Sequence, residues 1–162
     1  KKEKKKVIAK ISGYANANDA FHQTGSSEKG DGAYIAIKKA IEIANIKTDD
    51  IDYINMHGTA TINNDLSEGE AVKRIFSSIP PFSSTKPYTG HTLAAAGAIE
   101  AVFSILALNN NTIFPNLNFK NKMPELNISP VTEITYKDLR NVLSNSFGFG
   151  GNCTALIFSK NE

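Results

Sequence analysis

The segment Ile51-Asp-Tyr-Ile-Asn-Met-His57-Gly-Thr-Ala-Thr61 decides the fold that we expect for this sequence. Residues 51–56 form a short, mostly apolar run, which predicts a buried strand. Gly58 permits a sharp turn after that strand, and Asn63-Asn64-Asp65 can cap a following helix. Strand, turn and helix in this order are typical of α/β domains, in which His57 would emerge at the carboxyl edge of the sheet, where ligands bind.

The same alternation continues on both sides of this segment. Upstream, the sequence predicts a strand over 7–14, a loop over 16–32 and an amphipathic helix over 33–44. Downstream, it predicts a helix ending at Pro80-Pro81, a strand over 82–84, a helix over 92–108, an irregular stretch over 109–136 and strands over 141–146 and 154–159. The pattern predicts an α/β domain with a mixed five-stranded sheet covered by helices.

The helix over 92–108 is apolar on every side, which predicts that it is buried in the domain centre and that one of its faces is covered by more than this domain. The stretch Leu93 to Leu108 contains Glu100 and is shorter than the roughly 20 residues of a bilayer span, so we expect no membrane span.

Composition limits the classes of function. The 162 residues are 41% hydrophobic and 21% charged, which is typical of one globular domain. The formal charge is +2, and residues 1–6 hold five lysines and one glutamate, so the rest of the chain is slightly acidic and shows no nucleic-acid footprint. We therefore divide the chain into a basic solvated end (1–6) and one domain (7–162). The single cysteine suits a reducing compartment, and we expect a cytoplasmic location.

A second histidine, His91, precedes the apolar helix in Ser84-Thr-Lys86-Pro-Tyr-Thr-Gly-His91. Partial positive charge at a helix start would keep His91 neutral and able to donate a hydrogen bond to an oxyanion. Glu100 is the only charge in that helix, and a buried carboxylate needs a partner. Glu100 is nine residues after His91 and therefore lies on the opposite side of the helix, so His91 is not its expected partner. Lys86, or a threonine hydroxyl through water, is the better candidate for the partner of Glu100.

Each of these residues also has a structural interpretation that the sequence leaves open. His57 and His91 can be a hydrogen-bonded core histidine and a helix cap, and Lys86 can be a solvated lysine in a turn. Phe147-Gly-Phe-Gly-Gly151 lacks the following helix of a nucleotide loop, so it is either a movable wall or a glycine hairpin with two core phenylalanines. Cys153 has nothing that would lower its pKa, and the histidine spacing gives no zinc motif, so we expect a structural thiol and no metal.

Taken together, the chain resembles the carboxy-terminal half of a β-ketoacyl-acyl carrier protein synthase of the 3-oxoacyl synthase I/II type, a condensing enzyme with the thiolase-like fold. The matching segments follow the family's order: Asp19-Ala-Phe-His22, His57-Gly-Thr-Ala-Thr61 with Asn64-Asp65, Ser84 to His91, Ala95-Ala-Gly-Ala-Ile-Glu100 and Asn145-Ser-Phe-Gly-Phe-Gly-Gly151.

The resemblance implies a role for each site residue. His57 and His91 would hold the thioester carbonyl of malonyl-carrier protein during loss of carbon dioxide, and Lys86 would organise the site with Glu100 as counter-charge through water and Thr59. Thr59 and Thr61 would bind the phosphopantetheine arm of the acyl carrier protein, so we expect no cofactor of the chain's own. Phe149, with Phe147 beside it, would be the gate next to the acyl pocket; the loop from Asp19 to Ser26 would be a second gate, with Thr24 a pantetheine contact.

The resemblance also implies that the nucleophilic cysteine comes from an amino-terminal half, and Cys153 does not match it. Because the sequence begins with Lys, we expect a piece of a longer protein that makes fatty acids or polyketides and forms a homodimer or heterodimer. The alternative is a non-catalytic partner resembling a chain-length factor, or a carrier-binding subunit, although such partners usually lose the two histidines.

Overall fold

The computed structural model describes residues 5–161 as a three-layer α/β/α domain. The helices are α1 (Asp31–Ala44), α2 (Ile62–Ile75), α3 (Lys86–Thr89) and α4 (Ala96–Asn110). The strands are β1 (Lys10–Asn18), β2 (Tyr53–Asn55), β3 (Phe82–Ser83), β4 (Thr112–Ile113), β5 (Thr135–Tyr136), β6 (Asn141–Gly148) and β7 (Asn152–Ser159). Residues 1–4 of the basic end lie outside the described part, and Lys5 and Lys6 are exposed.

The main sheet has five strands, as the sequence predicts, and their order is β1-β7-β6-β2-β3. Strands β3, β2 and β6 are parallel, whereas β7 is antiparallel to both β6 and β1. The carboxyl ends of β2, β3 and β6 therefore meet at one edge of the sheet, and the segments that follow them form the site.

Two apolar clusters cover the two faces of this sheet. Along β6, Leu143 faces the layer of α1 and α2, whereas its neighbour Val142 faces α4, as strand alternation requires. The first cluster includes Ile37 of α1 and Val72 of α2, and the second includes Leu108 of α4; each of these three side chains is fully buried.

Several boundaries differ from the sequence prediction. Strand β1 extends to Asn18, into the predicted loop, because it pairs with β7 as far as Asn152. Helix α2 begins earlier than predicted, since the side chain of Thr61, not Asn63 to Asp65, caps it by accepting from Asn64 N. The stretch over 109–136 is mostly irregular but contributes the two-stranded pair β4–β5.

The prediction that the apolar helix is buried on every side is wrong for this chain alone. Helix α4 begins at Ala96, and its row of buried residues packs on the sheet. Its opposite face carries Val102 and Leu106, which are 57% and 44% exposed, and Leu93 before the helix is 79% exposed. Hydropathy cannot identify the buried face, because that face contains Glu100 and Ser104, whereas the exposed face is apolar.

Among the described residues, the segment Leu93–Asn110 is the one helical stretch whose length and hydropathy match a membrane span. Core helices of globular domains meet the same criterion. Glu100 lies in the middle of this segment and forms a buried ion pair with Lys86, so the segment serves as a helix that covers the sheet.

Gly13 provides a test of the packing between β1 and α1. A Cβ at this position would lie 2.2 Å from the Ala40 carbonyl oxygen, which is backbone and cannot move aside cheaply. We expect Gly13→Ala to lower the free energy of unfolding by about 2 kcal/mol in urea denaturation. Gly148→Ala is the control, because the nearest atom to its Cβ is 4.0 Å away. Equal losses for the two variants would contradict this packing.

Candidate active site

The site lies where three parallel strands end. His57 follows β2, Lys86 follows β3, and Ser146 and Phe147 lie at the end of β6. His57 and Lys86 are 4% and 8% exposed, and Glu100 of α4 is 2% exposed, so these polar groups are held inside the domain. The sequence analysis predicted that His57 lies at the carboxyl edge of the sheet. It also named Lys86, Glu100 and Phe147 as candidates, and the fold brings all four side chains to this edge.

Lys86 is at the centre of the polar contacts. Its ammonium forms an ion pair with Glu100 and donates to the carbonyl oxygen of His57. It also lies 3.1 Å from His57 Nδ1. The sequence correctly predicted Lys86 as the partner of Glu100, but the contact is direct. The second oxygen of Glu100 accepts from Ser146 Oγ at 2.9 Å, so Ser146, rather than Thr59, completes its direct contacts.

The contact with Lys86 fixes the protonation state of His57. Burial, followed by the charges of Lys86 and His91, lowers the pKa of His57 to about 3. A neutral imidazole whose Nδ1 accepts from an ammonium carries its proton on Nε2. His57 therefore presents an Nε2–H donor at neutral pH.

His91 reaches the same tautomer by another route. It lies before the short helical turn Leu93–Ala95 rather than on α4, because positive φ angles at Gly90 and Leu93 break the chain direction. His91 still contacts the start of the helical segment: its Nδ1 accepts from Leu93 N, the first residue of that turn, at 3.0 Å, which leaves the proton on Nε2. The rings of His57 and His91 are 5.4 Å apart, edge to face.

Glu68 is a functional residue that the sequence analysis missed. Its side chain is 1% exposed, and it accepts from the backbone N–H groups of His57 and Gly58, both at 2.9 Å, and from Asn145 Nδ2 at 3.1 Å. These bonds hold the turn that presents His57. Burial outweighs the hydrogen bonds and raises the pKa of Glu68 to about 7. One signal in the sequence could have identified Glu68. It lies four residues before Val72, and this spacing places its carboxylate on the apolar face of α2.

A cleft of about 770 Å³ is lined by His91 and by Gly58, the residue after His57. Its lining also includes Thr59, Ala60, Lys86 and much of the segment 116–130, which lies in the stretch predicted as irregular and was not predicted to belong to the site. Thr59 lines the cleft, and its hydroxyl lies 3.0 Å from that of Thr61, so the two hydroxyls share one side of the turn as predicted.

The remaining predicted residues lie around this centre. Phe147 contacts His57, with ring centroids 5.4 Å apart, whereas Phe149 is 81% exposed. Thr24 is exposed and lies in a neighbouring loop rather than in the cleft wall. Cys153 is buried in β7, and burial, with the charges of Asp19 and Glu68, raises its pKa to about 12, in keeping with a structural thiol. Residues 5–161 contain no cluster of three or more metal-ligating side chains.

The fold and the site together define a thiolase-like ketosynthase domain. The model of the family described as "Beta-ketoacyl synthase, C-terminal domain" matches residues 8–120. The chain therefore belongs to the beta-ketoacyl synthase family and corresponds to its C-terminal domain.

Three known proteins illustrate the relationship. The chain is 45% identical over 159 residues to 3-oxoacyl-[acyl-carrier-protein] synthase 2 of Rhizobium meliloti (strain 1021), with 96% of this chain and 38% of that protein covered. A type II PKS ketosynthase in complex with its acyl-carrier protein matches with a TM-score of 0.92 at 28% identity, over 97% of this chain and 40% of that chain. A ketosynthase in complex with its chain length factor, from Xenorhabdus doucetiae, matches with a TM-score of 0.87 at 35% identity, over 97% and 40%. The chain thus spans about two-fifths of the length of these relatives.

The raised pKa of Glu68 gives a test with a defined sign. Its pKa rises from 4.5 to about 7 on folding, so the folded state keeps a proton that the unfolded state has lost. Between these values, stability falls as the pH rises. We expect the free energy of unfolding of wild type, relative to Glu68→Gln, to decrease by about 3 kcal/mol from pH 4.5 to pH 7.5. Urea denaturation across this range measures it, and a constant or rising difference would contradict the assignment.

Proposed function

We propose that this chain is the C-terminal portion of a decarboxylating 3-oxoacyl-acyl carrier protein synthase, which condenses an acyl thioester with malonyl-acyl carrier protein. One observation supports this most strongly: two neutral histidines, each with Nδ1 already engaged and the proton on Nε2, lie with ring centroids 5.4 Å apart, and His91 lines the cleft. Such a pair suits a thioester oxygen that gains negative charge.

The proposed reaction assigns both histidine donors to one enolate oxygen. The bond between the malonyl carboxylate and its α-carbon breaks, carbon dioxide leaves, and the electron pair forms an enolate whose oxygen accepts from His57 and His91. The enolate carbon then attacks an acyl thioester carried by a cysteine of the preceding half. A new carbon–carbon bond forms, and the cysteine thiolate leaves.

The other site residues support this reaction without touching the reacting atoms. Lys86 keeps His57 in the required tautomer, and Glu100 neutralises the buried ammonium. We assign Thr59 and Thr61 to the phosphopantetheine arm because Thr59 lines the cleft and its hydroxyl lies 3.0 Å from that of Thr61. Phe149 and the loop with Thr24 lie farther out and are proposed as the gate; Phe147 forms part of the wall beside His57.

The proposed partners are an acyl carrier protein, the preceding half and a second subunit. Among the relatives, one ketosynthase is in complex with its acyl-carrier protein and another with its chain length factor. Retention of His57, His91 and Lys86 in working geometry favours the condensing enzyme over the non-catalytic partner. A single buried thiol is compatible with the cytoplasmic location that we propose.

The decarboxylation role is tested in the full-length protein. We expect His57→Ala and His91→Ala each to slow release of carbon dioxide from malonyl-acyl carrier protein by at least about 100-fold, because each removes one oxyanion donor. Lys39→Ala, at an exposed position of α1 outside the cleft lining, is the control. Unchanged release in both site variants would contradict the proposal.

The chain alone should not accept an acyl group. Incubation with radiolabelled acyl-acyl carrier protein should leave the 162-residue chain unlabelled, whereas the full-length protein is labelled. Cys153→Ala is the matched control for the only thiol. Label on the wild-type chain that disappears in Cys153→Ala would overturn the assignment of the nucleophile to another part of the protein.

The exposed face of α4 should make the isolated chain associate. We expect light scattering across concentration to show self-association, and Val102→Ser with Leu106→Ser to reduce it. Ile35→Ser with Ile43→Ser on α1 is the control, because these residues have similar exposure, 40% and 53%. A monomer at all concentrations, or equal effects of the two pairs, would contradict this interpretation.

A further inference from the structure

The loop 19–27 is bound directly to the turn 149–151, which carries Phe149. Gly150 N donates to the Gln23 carbonyl oxygen at 2.7 Å, and Asp19 N donates to the Gly151 carbonyl oxygen at 2.8 Å. Gly151 has φ +80, and a Cβ there would lie 3.1 Å from Ala20 N, so the two segments pack backbone against backbone. The loop therefore holds the turn together with Asn18 of β1, whose Nδ2 donates to the Gly150 carbonyl oxygen at 2.9 Å.

The two ends of the loop have their own anchors. The carboxylate of Asp19 accepts from Ser27 N, Ser27 Oγ and Gly32 N. The side chain of Asn63, at the start of α2, both accepts from Ser26 N and donates to Ser26 O. These contacts fix residues 19 and 26–27 but do not reach Gln23, the residue that holds Gly150.

His22 fixes the middle of the loop. Its Nδ1 accepts from Thr24 N and from Gly25 N, both at 3.2 Å. This arrangement matches the turns in which an asparagine or aspartate side chain accepts from backbone N–H groups two or three residues later. The bonds close the chain around Gln23 and direct its carbonyl toward Gly150.

We propose that His22 is a positioning residue that clamps the middle of the loop 19–27 only while its imidazole is neutral, so that protonation releases this part of the loop and its contact with Gly150, in the turn that carries Phe149. A protonated imidazole has a hydrogen on Nδ1 and cannot accept from either N–H. Imidazole is the side chain that changes charge between about pH 5 and pH 8. The clamp itself is independent of the reaction; its effect on access to the cleft rests on the proposed function.

Other titratable groups near the loop have to be separated from His22. Burial raises the pKa of Asp19, but the bonds from Ser27 and Gly32 outweigh it, so the pKa lies below its ordinary value. The pKa of Asp65 on α2 is raised by burial, that of Glu68 is about 7, and that of Cys153 beside the turn is about 12. Glu28 and Lys29 follow the loop directly, and Asp31 begins α1. All of these groups are retained when only His22 is replaced.

The variant His22→Asn separates these contributions. Asparagine places an oxygen where Nδ1 lies and does not titrate, whereas His22→Ala removes the acceptor. Amide–water exchange of Thr24, Gly25 and Gly150 is measured by NMR in the 162-residue chain at about pH 8 and about pH 5, divided by the intrinsic rate at each pH.

In wild type we expect exchange at all three amides to be about tenfold faster, relative to the intrinsic rate, at the lower pH, because two hydrogen bonds are lost. His22→Asn should stay protected at both pH values, and His22→Ala should be unprotected at both. Equal protection of wild type at the two pH values would overturn the clamp. So would a pH-dependent loss in His22→Asn as large as in wild type, since another group would then be responsible. Neither result bears on decarboxylation, so the proposed function stands or falls separately.

Discussion

The ion pair between Lys86 and Glu100 is the interaction on which the site depends. Both groups are nearly fully buried, and an isolated charge in that position would be costly. The pair also joins three parts of the chain: the segment after β3, the middle of α4 and, through Ser146, the end of β6. Because the same ammonium contacts both Nδ1 and the carbonyl oxygen of His57, the group that neutralises Glu100 also sets the tautomer of His57.

The sheet topology explains why these groups meet. Strands β2, β3 and β6 are parallel neighbours, so residues far apart in sequence reach one edge of the sheet. Glu68 adds the second constraint, since its carboxylate binds the backbone of the turn after β2. The site is thus supported on one face by α4 through Glu100 and on the other by α2 through Glu68. The exposed apolar side of α4 is the surface on which we expect the preceding half of the protein to pack.

Local pattern and motif order were enough to predict most of the helices and strands in their order along the chain, the mixed five-stranded sheet, and the sheet edge at which His57 lies. The failures have physical causes. Hydropathy could not show which side of α4 faces the sheet, because the buried side contains Glu100 and Ser104, whereas the exposed side carries Val102 and Leu106. Strand β1 reached Asn18 because pairing with β7 overrode a loop-like composition. Glu68 was missed because its partners are backbone N–H groups, which carry no sequence signature, and the wall over 116–130 because an irregular segment has no periodicity.

The central claim is that two neutral histidines are fixed as Nε2–H donors, one by Lys86 and one by the Leu93 N–H. Long-range ¹⁵N–¹H NMR distinguishes the two neutral tautomers and the protonated ring for each histidine. At neutral pH we expect both His57 and His91 to show the Nε2–H tautomer, with His57 still neutral at about pH 5, as its lowered pKa requires. A proton on Nδ1 of His57, or a charged His57 at that pH, would contradict the account.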